Sequence, residues 1–519
     1  MNYPVWYIPA VGGSMVIAVM AIVHVVVSHF AVGGGLWLVL TEKKAYREKK
    51  EFIVDYVKKH AKFFMLLTMV FGAMTGVGIW FTIALINPSG TSALIHSFVF
   101  AWAIEWVFFV IEIVAAFLYF YTFKKISEKT HLFIAWVYFI AAWASLFIIN
   151  AILAFMMTPG KWLQTQNFWD GMFNPTFWPS LVFRTFLCFA LAGSYALLTA
   201  AKKLKGEEKK SMVRYNGKWI LLSLAGMIPS LLWYYFSLPE TAQQGIGGAS
   251  SIMYKSLIHL VISLGLFLLL LFLFILWKAQ KLNFTWSIVT LLAIFVFFGA
   301  FEFIREAGRK PFIIADYMYV SGLTKTQHEE LQDRSVLAYA KWVQTKEVKA
   351  GNELQAGEEI FRIECSACHT GGIKNNIYGV LKDWDQKKII RSIGALPGIT
   401  GFMPGFVGTN VERAALGKWL YAVSHKGVPA GETQPAPESA PAPAFPGEKV
   451  FEDYCAACHE IDGDNAVRPK LKNYENIEKI LDMLGKLDEL NEDMPAFEGS
   501  DAEKKALAQY LLELTRREK

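Results

Sequence analysis

Eight long apolar runs constrain the fold of this chain more than any other feature. A helix needs about 20 apolar residues to cross a bilayer, and in lipid it satisfies its own backbone hydrogen bonds. The chain has 519 residues, a hydrophobic content of 54% and a mean hydropathy of +0.33. The runs cover roughly residues 11–40, 62–86, 97–122, 131–156, 178–200, 217–237, 256–277 and 283–304. The sequence therefore predicts an all-α protein whose first part is a polytopic membrane bundle of eight spans.

The charges of the connecting loops predict the orientation of these spans. Lys and Arg are concentrated in the loops after the first, third and fifth runs and are almost missing after the second, fourth and sixth. Cationic loops stay on the cytoplasmic side of a membrane. The N-terminus and everything after the eighth span are therefore predicted on the outer, periplasmic side. This pattern explains the net charge of +6, so no nucleic-acid partner is predicted.

Two CxxCH motifs lie in the C-terminal third of the chain. Their residues are Cys365, Cys368 and His369, and Cys455, Cys458 and His459. In a c-type haem site the two thiols bind the vinyl groups and the histidine ligates the iron. One such motif is also compatible with a redox or zinc site, but two copies in matching surroundings favour two covalent haems c. The fifth cysteine, Cys188, lies in an apolar run and is predicted to be a packing residue.

The C-terminal third repeats one pattern: a helix, CxxCH, a loop with Met-Pro-x-Phe, and a closing helix. Met403 and Met494 follow the motif histidines by 34 and 35 residues, which predicts them as second iron ligands. A thioether ligand raises a haem potential and suits electron transfer. The two repeats resemble small monohaem cytochrome c domains. With this resemblance, the predicted domains are a membrane domain 1–312, a periplasmic stalk 313–350, a cytochrome c domain 351–425, a Pro/Ala-rich linker 426–445 and a cytochrome c domain 446–519.

Two details of this soluble part are predicted from local composition. His328 in the stalk is expected to face solvent. The linker is rich in proline and alanine and is expected to be extended and semi-rigid. It would let one c domain move relative to the other.

Ionisable side chains within the spans are costly to bury and are therefore candidates for function. Glu105 and Glu112 in the third span are seven residues apart and share a helix face. The other candidates are His24, His29, Arg184, His259, Glu302, Arg305, Glu306 and Arg309. The last four are spaced i, i+3, i+4 and i+7, so they form either a ladder of salt bridges or part of a site. His96 and His131, at span ends, are predicted to be interfacial.

Together these residues resemble subunit I of the cytochrome bd family of oxygen reductases. The resemblance rests on the His in the first span, Thr75-Gly-Val-Gly78, Glu105 with Glu112, and Glu306-Ala-Gly-Arg-Lys-Pro311. It implies that His24 and Glu306 ligate active-site haems of b or d type and that Arg309 belongs to the same site. It implies that Glu105 and Glu112 serve haem ligation and proton delivery. It also implies a second membrane subunit of similar architecture.

The sequence departs from that family in two places. The family's low-spin haem takes a His in the fifth span and a Met in the seventh, where this chain has Arg184 and the neighbourhood of His259. That haem is therefore expected either to be missing or to be ligated by His259 and His29. Arg184 could then hold a haem propionate. The expected number of membrane haems is accordingly two or three. The link between the sixth and seventh spans, about residues 237–255, is also too short for the family's quinol-binding loop.

The expected function is a membrane haem redox enzyme of bacteria or archaea. In this hypothesis a terminal oxidase receives electrons from a periplasmic cytochrome c or another carrier through its c haems, rather than from quinol, and reduces oxygen. The alternative is a non-catalytic electron-transfer subunit that links membrane haems or quinone to periplasmic carriers. A third possibility is reduction of another small gas, such as nitric oxide, at the same site.

Overall fold

The computed structural model describes two compact units. One is Ser14–Gly322, and the other combines Met1–Gly13 with Leu323–Lys519. The described residues are 3–372, 375–400, 403–425, 446–456, 459, 461, 466–474, 476–490, 494, 496–497 and 499–516. The predicted linker 426–445 and the motif residue Cys458 lie outside them.

The membrane unit confirms the prediction of eight spans: among the described residues, eight helices have the length and composition to cross a bilayer. A π-helical segment, Leu66–Gly72, joins α2 to α3 within the second span, and π and 3-10 turns (Gly245–Ala249, Phe272–Trp277, Ala279–Lys281) flank α12. The helices of this unit are α1 (Gly13–Glu48), α2 (Glu51–Met65), α3 (Ala73–Ile86), α4 (Pro88–Ser97), α5 (Val99–Tyr121), α6 (Glu128–Phe155), α7 (Trp162–Thr165), α8 (Phe168–Met172), α9 (Phe177–Lys203), α10 (Gly206–Phe236), α11 (Glu240–Gln244), α12 (Ser251–Leu271) and α13 (Phe284–Ala307).

The core of the membrane unit is built around α9, the most enclosed of the eight spans. Its inner residues include Phe183, Leu187 and Cys188, all fully buried. Gly33 of α1 lies against the backbone carbonyl of Cys188, and a Cβ at this position would collide with it. Only glycine allows α1 and α9 to approach this closely. The predicted packing role of Cys188 agrees with its burial and its free thiol.

The membrane unit ends in a small hairpin after α13. Strand β1 (Phe312–Ile314) pairs with β2 (Met318–Tyr319) in antiparallel fashion. The backbone N–H of Ala315 donates to the carbonyl of Met156 at 3.0 Å. This hairpin belongs to the membrane unit.

The soluble unit contains two helical domains with separate apolar cores. A π-helical segment, Phe361–Cys365, extends α16, and a 3-10 segment, Arg468–Asn473, follows the second CxxCH motif. The helices are α14 (Lys325–Glu330), α15 (Val336–Tyr339), α16 (Glu353–Ile360), α17 (Ile377–Leu381), α18 (Gln386–Gly394), α19 (Leu396–Thr400), α20 (Asn410–Ser424), α21 (Pro446–Tyr454), α22 (Ile477–Leu484), α23 (Leu487–Leu490) and α24 (Asp501–Arg516).

The predicted stalk, 313–350, does not stand apart from the domains. Its first residues form the hairpin, and residues from Leu323 onward pack into the core of the first c domain. Glu412 accepts hydrogen bonds from Ser335 Oγ at 2.8 Å and from the N–H of Leu337 at 3.0 Å. His328, predicted to face solvent, is instead buried and bonds to the carbonyl of Gly405 at 2.9 Å. The polar composition of this segment therefore reflects buried capping contacts rather than exposure.

Candidate haem sites

The first CxxCH motif lies at the end of the π-helical extension of α16. The N–H of His369 donates to the carbonyl of Cys365 at 2.8 Å, which closes the motif into one turn. Cys365 and Cys368 carry free thiols. The buried Nδ1 of His369 has no hydrogen-bond partner among the described residues, and burial lowers the pKa of this imidazole. A neutral imidazole and two free thiols in one turn fit a covalent haem c.

The second motif repeats this geometry. The N–H of His459 donates to the carbonyl of Cys455 at 2.9 Å. In the first domain Gly357 of α16 lies against the carbonyl of Ala415 on α20; in the second, Gly447 of α21 lies against that of Ala506 on α24. In both, the helix before CxxCH crosses the closing helix at a glycine eight residues before the first cysteine.

The predicted axial methionines occupy similar surroundings. Met403 and Met494 are both partly buried. Each follows residues that lie outside the described part of the chain. Their role as iron ligands stays a prediction.

An N-terminal arm, residues 3–12, packs on the first c domain, a feature that sequence reasoning missed. The N–H of Gly371 donates to the carbonyl of Pro9 at 3.2 Å. The ring of Tyr7 lies 6.3 Å from that of Phe361 and 5.1 Å from the guanidinium of Arg362. Gly371 is two residues after His369, so the arm covers the segment that follows the predicted iron ligand.

In the membrane unit, His24 lies on α1 and faces the second span. Its Nδ1 is 3.1 Å from Thr75 Oγ1. A Cβ on Gly76 would lie 3.1 Å from the edge of the His24 ring. Because Gly76 has no side chain, there is space beside the half-buried imidazole of His24. His24 and Gly76 therefore fit a bound group that needs room at the edge of the imidazole ring.

Arg184 is at the centre of a buried ionic cluster rather than beside open space. Its Nη2 lies 2.6 Å from Glu302 Oε1, its Nη1 lies 3.2 Å from His29 Nε2, and its Nε donates to Ser180 Oγ at 3.3 Å. Arg305 Nε donates to the other oxygen of Glu302 at 2.9 Å. Each nitrogen of Arg184 thus lies within 3.3 Å of a protein group.

Three residues predicted to serve the membrane haems contact protein groups in this structure, and their roles at a haem stay predictions. Arg184, predicted to hold a propionate, pairs with Glu302, a carboxylate that it shares with Arg305. His29, predicted as an iron ligand, bonds through Nδ1 to the carbonyl of Val25 at 2.8 Å and through Nε2 to Arg184, so both ring nitrogens have protein partners. His259 is exposed on α12 and bonds to the carbonyl of Lys255 of its own helix at 2.7 Å. The three residues do not converge on one site.

The charged residues at the end of α13 form salt bridges, which is the first of the two alternatives predicted for them. Arg309 donates to Glu306 through Nε at 2.9 Å and through Nη2 at 2.6 Å. Lys310 Nζ lies 3.5 Å from the same carboxylate. Glu306 is therefore an anion held by two cations at the end of the span.

Glu105 and Glu112 meet hydroxyl groups instead of cations. Ser145 of α6 donates to Glu105 at 2.8 Å, and Tyr138 of α6 donates to Glu112 at 3.0 Å. The Tyr138 hydroxyl also lies 3.2 Å from the carbonyl of Ala31. Because a hydroxyl can both donate and accept, a protonated Glu112 can donate to Tyr138 while Tyr138 donates to Ala31.

A further polar cluster lies at the end of α1, α5 and α6 that bears Lys124 and Lys129. Buried Glu42 accepts from the hydroxyls of Tyr46 at 2.6 Å and Tyr119 at 2.7 Å, and lies 2.6 Å from Nδ1 of His131. Nε2 of His131 donates to the carbonyl of Tyr119 at 2.8 Å. His131, predicted to be interfacial, is buried because it completes this cluster.

The spacing of the α5 and α6 residues is a sequence signal for one polar face on each helix, but not for their contact with Glu42 of α1. On α5 the polar positions are 105, 112 and 119, and on α6 they are 131, 138 and 145. Seven-residue steps keep each set on one helix face. A cavity of about 10 Å³, close to the room that one water needs, is lined by Tyr119, Tyr138 and the small residues Gly35, Ala61, Ala116 and Ala135.

Comparisons with known proteins agree with this geometry. The family described as cytochrome bd terminal oxidase subunit I matches residues 14–234. The family described as cytochrome C oxidase, cbb3-type, subunit III matches residues 352–420 and again 442–511. The solved bd oxidase from Geobacillus thermodenitrificans is 15% identical, with a TM-score of 0.54 over 61% of this chain and 91% of that chain. A search among curated proteins gives no match.

The fold and the haem-binding motifs define a multi-pass membrane haem protein of the oxidoreductase kind that carries electrons. More specifically, its membrane region is similar to cytochrome bd subunit I over residues 14–234, and it is joined to two domains that are similar to cbb3-type subunit III cytochrome c. The c domains imply covalently bound haem c, and the membrane family implies haem b or d.

Proposed function

We propose that the chain is the catalytic subunit of an oxygen reductase that receives its electrons through the two c domains. One observation supports this proposal most strongly. A single chain combines a bd-type membrane fold with two domains that each contain a CxxCH motif. Electrons from a periplasmic cytochrome c or a similar carrier pass through the c domains to the membrane unit. Four electrons and four protons reduce one oxygen molecule to two water molecules.

The short connection between α10 and α12 supports electron delivery by the c domains. It contains only α11 and a π-helical turn whose Gly248 has φ of +128°. The resemblance to bd enzymes places a long quinol-binding loop at this position. A segment this short has no room for such a loop, so we propose that quinol is not the direct donor.

The membrane site uses His24 and Glu306 to hold b- or d-type haem, whose iron supplies the oxygen-reducing chemistry. Glu306 is anionic beside Arg309 and Lys310, and His24 has a glycine at its ring edge. Where the family has a third, low-spin haem, this chain has the Arg184–Glu302 pair. We therefore propose two membrane haems.

Glu112 and Glu105 deliver protons to this site. Their partners are hydroxyls, which leave the carboxylates free to gain and lose a proton, whereas a carboxylate paired with arginine stays ionised. Tyr138 and Ser145 hold the two carboxyl groups in place on α5.

The orientation and the partners follow from the same proposal. The loops rich in lysine are on the cytoplasmic side, and the c domains are on the outer side. The complex contains a second membrane subunit of similar architecture, as the bd resemblance implies.

The deciding experiment uses the purified complex. Pyridine haemochrome analysis should give two haems c and two b- or d-type haems per chain. Reduced cytochrome c should support oxygen uptake, a membrane haem should bind CO, and a quinol should be a poor donor. CO-silent haems with no oxygen uptake, but with electron transfer from quinol to a cytochrome c acceptor, would establish the alternative of a non-catalytic electron-transfer subunit.

A further inference from the structure

The two c domains contact each other through α18 of the first and α21 of the second. The guanidinium carbon of Arg391 lies 3.7 Å from the ring centroid of Tyr454. This is well within the range of about 6 Å over which an aromatic ring attracts a cation. Nη1 of Arg391 is buried and has no hydrogen-bond partner among the described residues. The guanidinium is thus partly desolvated, which strengthens its interaction with the ring.

Tyr454 connects this contact to both haem-binding segments of the second domain. It directly precedes Cys455 of the CxxCH motif. Its ring also packs on Phe497 at 4.9 Å, and Phe497 belongs to the Met494-Pro-x-Phe segment. In the first domain the corresponding position before CxxCH is Glu364, so only the second domain presents an aromatic ring there.

The charges on the two surfaces are complementary. The exposed and half-buried residues of α18 include Lys387, Lys388 and Arg391. On α24 of the second domain, the pKa of Glu503 is lowered mainly by hydrogen bonds from Ser500 and further by the positive charges of Lys387 and Arg391. A basic helix of the first domain therefore faces an acidic residue of the second.

We propose that Arg391 and Tyr454 form the docking contact through which electrons pass between the two haems c, so that these haems work in series. One electron crosses this contact at a time: iron in one domain is oxidised from Fe(II) to Fe(III) and iron in the other is reduced from Fe(III) to Fe(II), with no proton or bond change. Arg391 is a positioning residue, since it holds the second domain against α18. The proposal rests on the haem c sites and is independent of oxygen reduction.

The test compares Arg391→Glu with Lys388→Glu in the full-length complex under anaerobic conditions. Lys388 is a matched control because it lies on the same helix, but its Nζ is 4.7 Å from the ring of Trp384 in its own domain. After photoreduction by an external one-electron donor, electron exchange between the two haems c should slow at least tenfold in Arg391→Glu and less than twofold in Lys388→Glu. Arg391→Lys, which keeps the charge and loses the planar group, should be intermediate.

A structural readout accompanies the kinetics. A zero-length carbodiimide cross-link between Lys387 and Glu503, detected by mass spectrometry, should form in the unmodified protein and in Lys388→Glu, and should fall at least fivefold in Arg391→Glu. If Arg391→Glu does not accumulate, Tyr454→Leu against Tyr454→Phe gives the same comparison. Unchanged exchange rates together with an unchanged cross-link would overturn the proposal. Because no oxygen is present, a protein that proves unable to reduce oxygen would still give either result.

Discussion

The carboxylates of α13 and those of α5 have opposite surroundings. Glu302 is bound by Arg184 and Arg305, and Glu306 by Arg309, whereas the hydroxyls of Ser145 and Tyr138 donate to Glu105 and Glu112. A carboxylate between guanidinium groups keeps its charge, because losing it would leave a cation unpaired in an apolar interior. A carboxylate beside a hydroxyl can change its protonation state with little rearrangement. The same residue type thus serves as a fixed charge on one helix and as a candidate proton carrier on another.

The largest effect is expected when the fixed charges are separated. Arg184→Ala leaves Glu302 buried with one cation fewer, and removing one member of a buried pair costs about 3–5 kcal/mol. The free energy of unfolding in detergent should fall by about that amount. The double variant Arg184→Ala with Glu302→Gln should recover much of the loss. A double variant as unstable as the single one would show that the charge on Glu302 is not the cause.

Glu112→Gln tests the carboxylates of α5 that are bound by hydroxyl groups. Glutamine still accepts the hydrogen bond from Tyr138 but cannot carry a proton, so oxygen reduction should fall about 100-fold, as for loss of a proton-transfer group. Unfolding and haem content should be unchanged. Glu128→Gln, an exposed acid at the start of α6, is the control and should keep full activity. Full activity in Glu112→Gln would remove this residue from the proton path.

Tyr138→Phe should have a smaller effect on the same step. It removes one hydrogen bond to Glu112, worth about 1 kcal/mol, so activity should fall up to about tenfold while the carboxylate is retained. A solvent deuterium isotope effect larger than that of the unmodified enzyme would accompany the loss. Tyr195→Phe, which keeps the ring packed on Phe30 at 4.0 Å, serves as the control. Equal losses in both variants would indicate packing rather than proton transfer.

The smallest effect is expected for Glu364 in the first c domain. The surroundings of this carboxyl group are of a third kind, because its partner is a backbone N–H group. It accepts a hydrogen bond from the N–H of Val407 at 3.1 Å, yet burial raises its pKa well above the usual value. Since the raised pKa favours the protonated form in the folded state, the stability of the domain should decline as pH rises through and above the ordinary range of a glutamic acid. Glu364→Gln should flatten this decline, measured by thermal unfolding at several pH values. A decline that persists in the variant would exclude Glu364 as its cause.

The spans and the two c domains could be predicted because each depends on local sequence. Apolar runs must be helical in lipid, and CxxCH with a following methionine is a motif of fixed spacing. The environment of Glu42 and His131 could not be predicted in the same way. His131 lies beside Lys129 at a span end, which indicates an interface, whereas its burial depends on contacts from α1 and α5.

The cluster of Arg184, His29 and Glu302 could not be predicted for a related reason. Arg184 and His29 are each an isolated ionisable residue in the sequence of their spans, and the sequence pairs Glu302 only with its neighbours on α13. The cluster joins residues from three helices separated by more than 100 positions. The burial of His328 and the packing of residues from Leu323 onward could not be predicted from composition, because polar residues that cap backbone N–H groups have the same composition as residues that face water.

The N-terminal arm has a consequence for biogenesis. Because residues 3–12 pack with the C-terminal unit, the membrane unit Ser14–Gly322 is an insertion within the soluble one, and the ribosome makes the arm about 350 residues before its partners, such as Phe361. At about 5–20 residues per second, the arm waits roughly 18–70 seconds for these residues of the first c domain to be made. Once it docks, the chain forms a closed loop. A protease that cuts the polypeptide once between the membrane unit and the first c domain would then leave this domain held by the arm, whereas one cut in residues 426–445 would leave the second domain without a covalent connection.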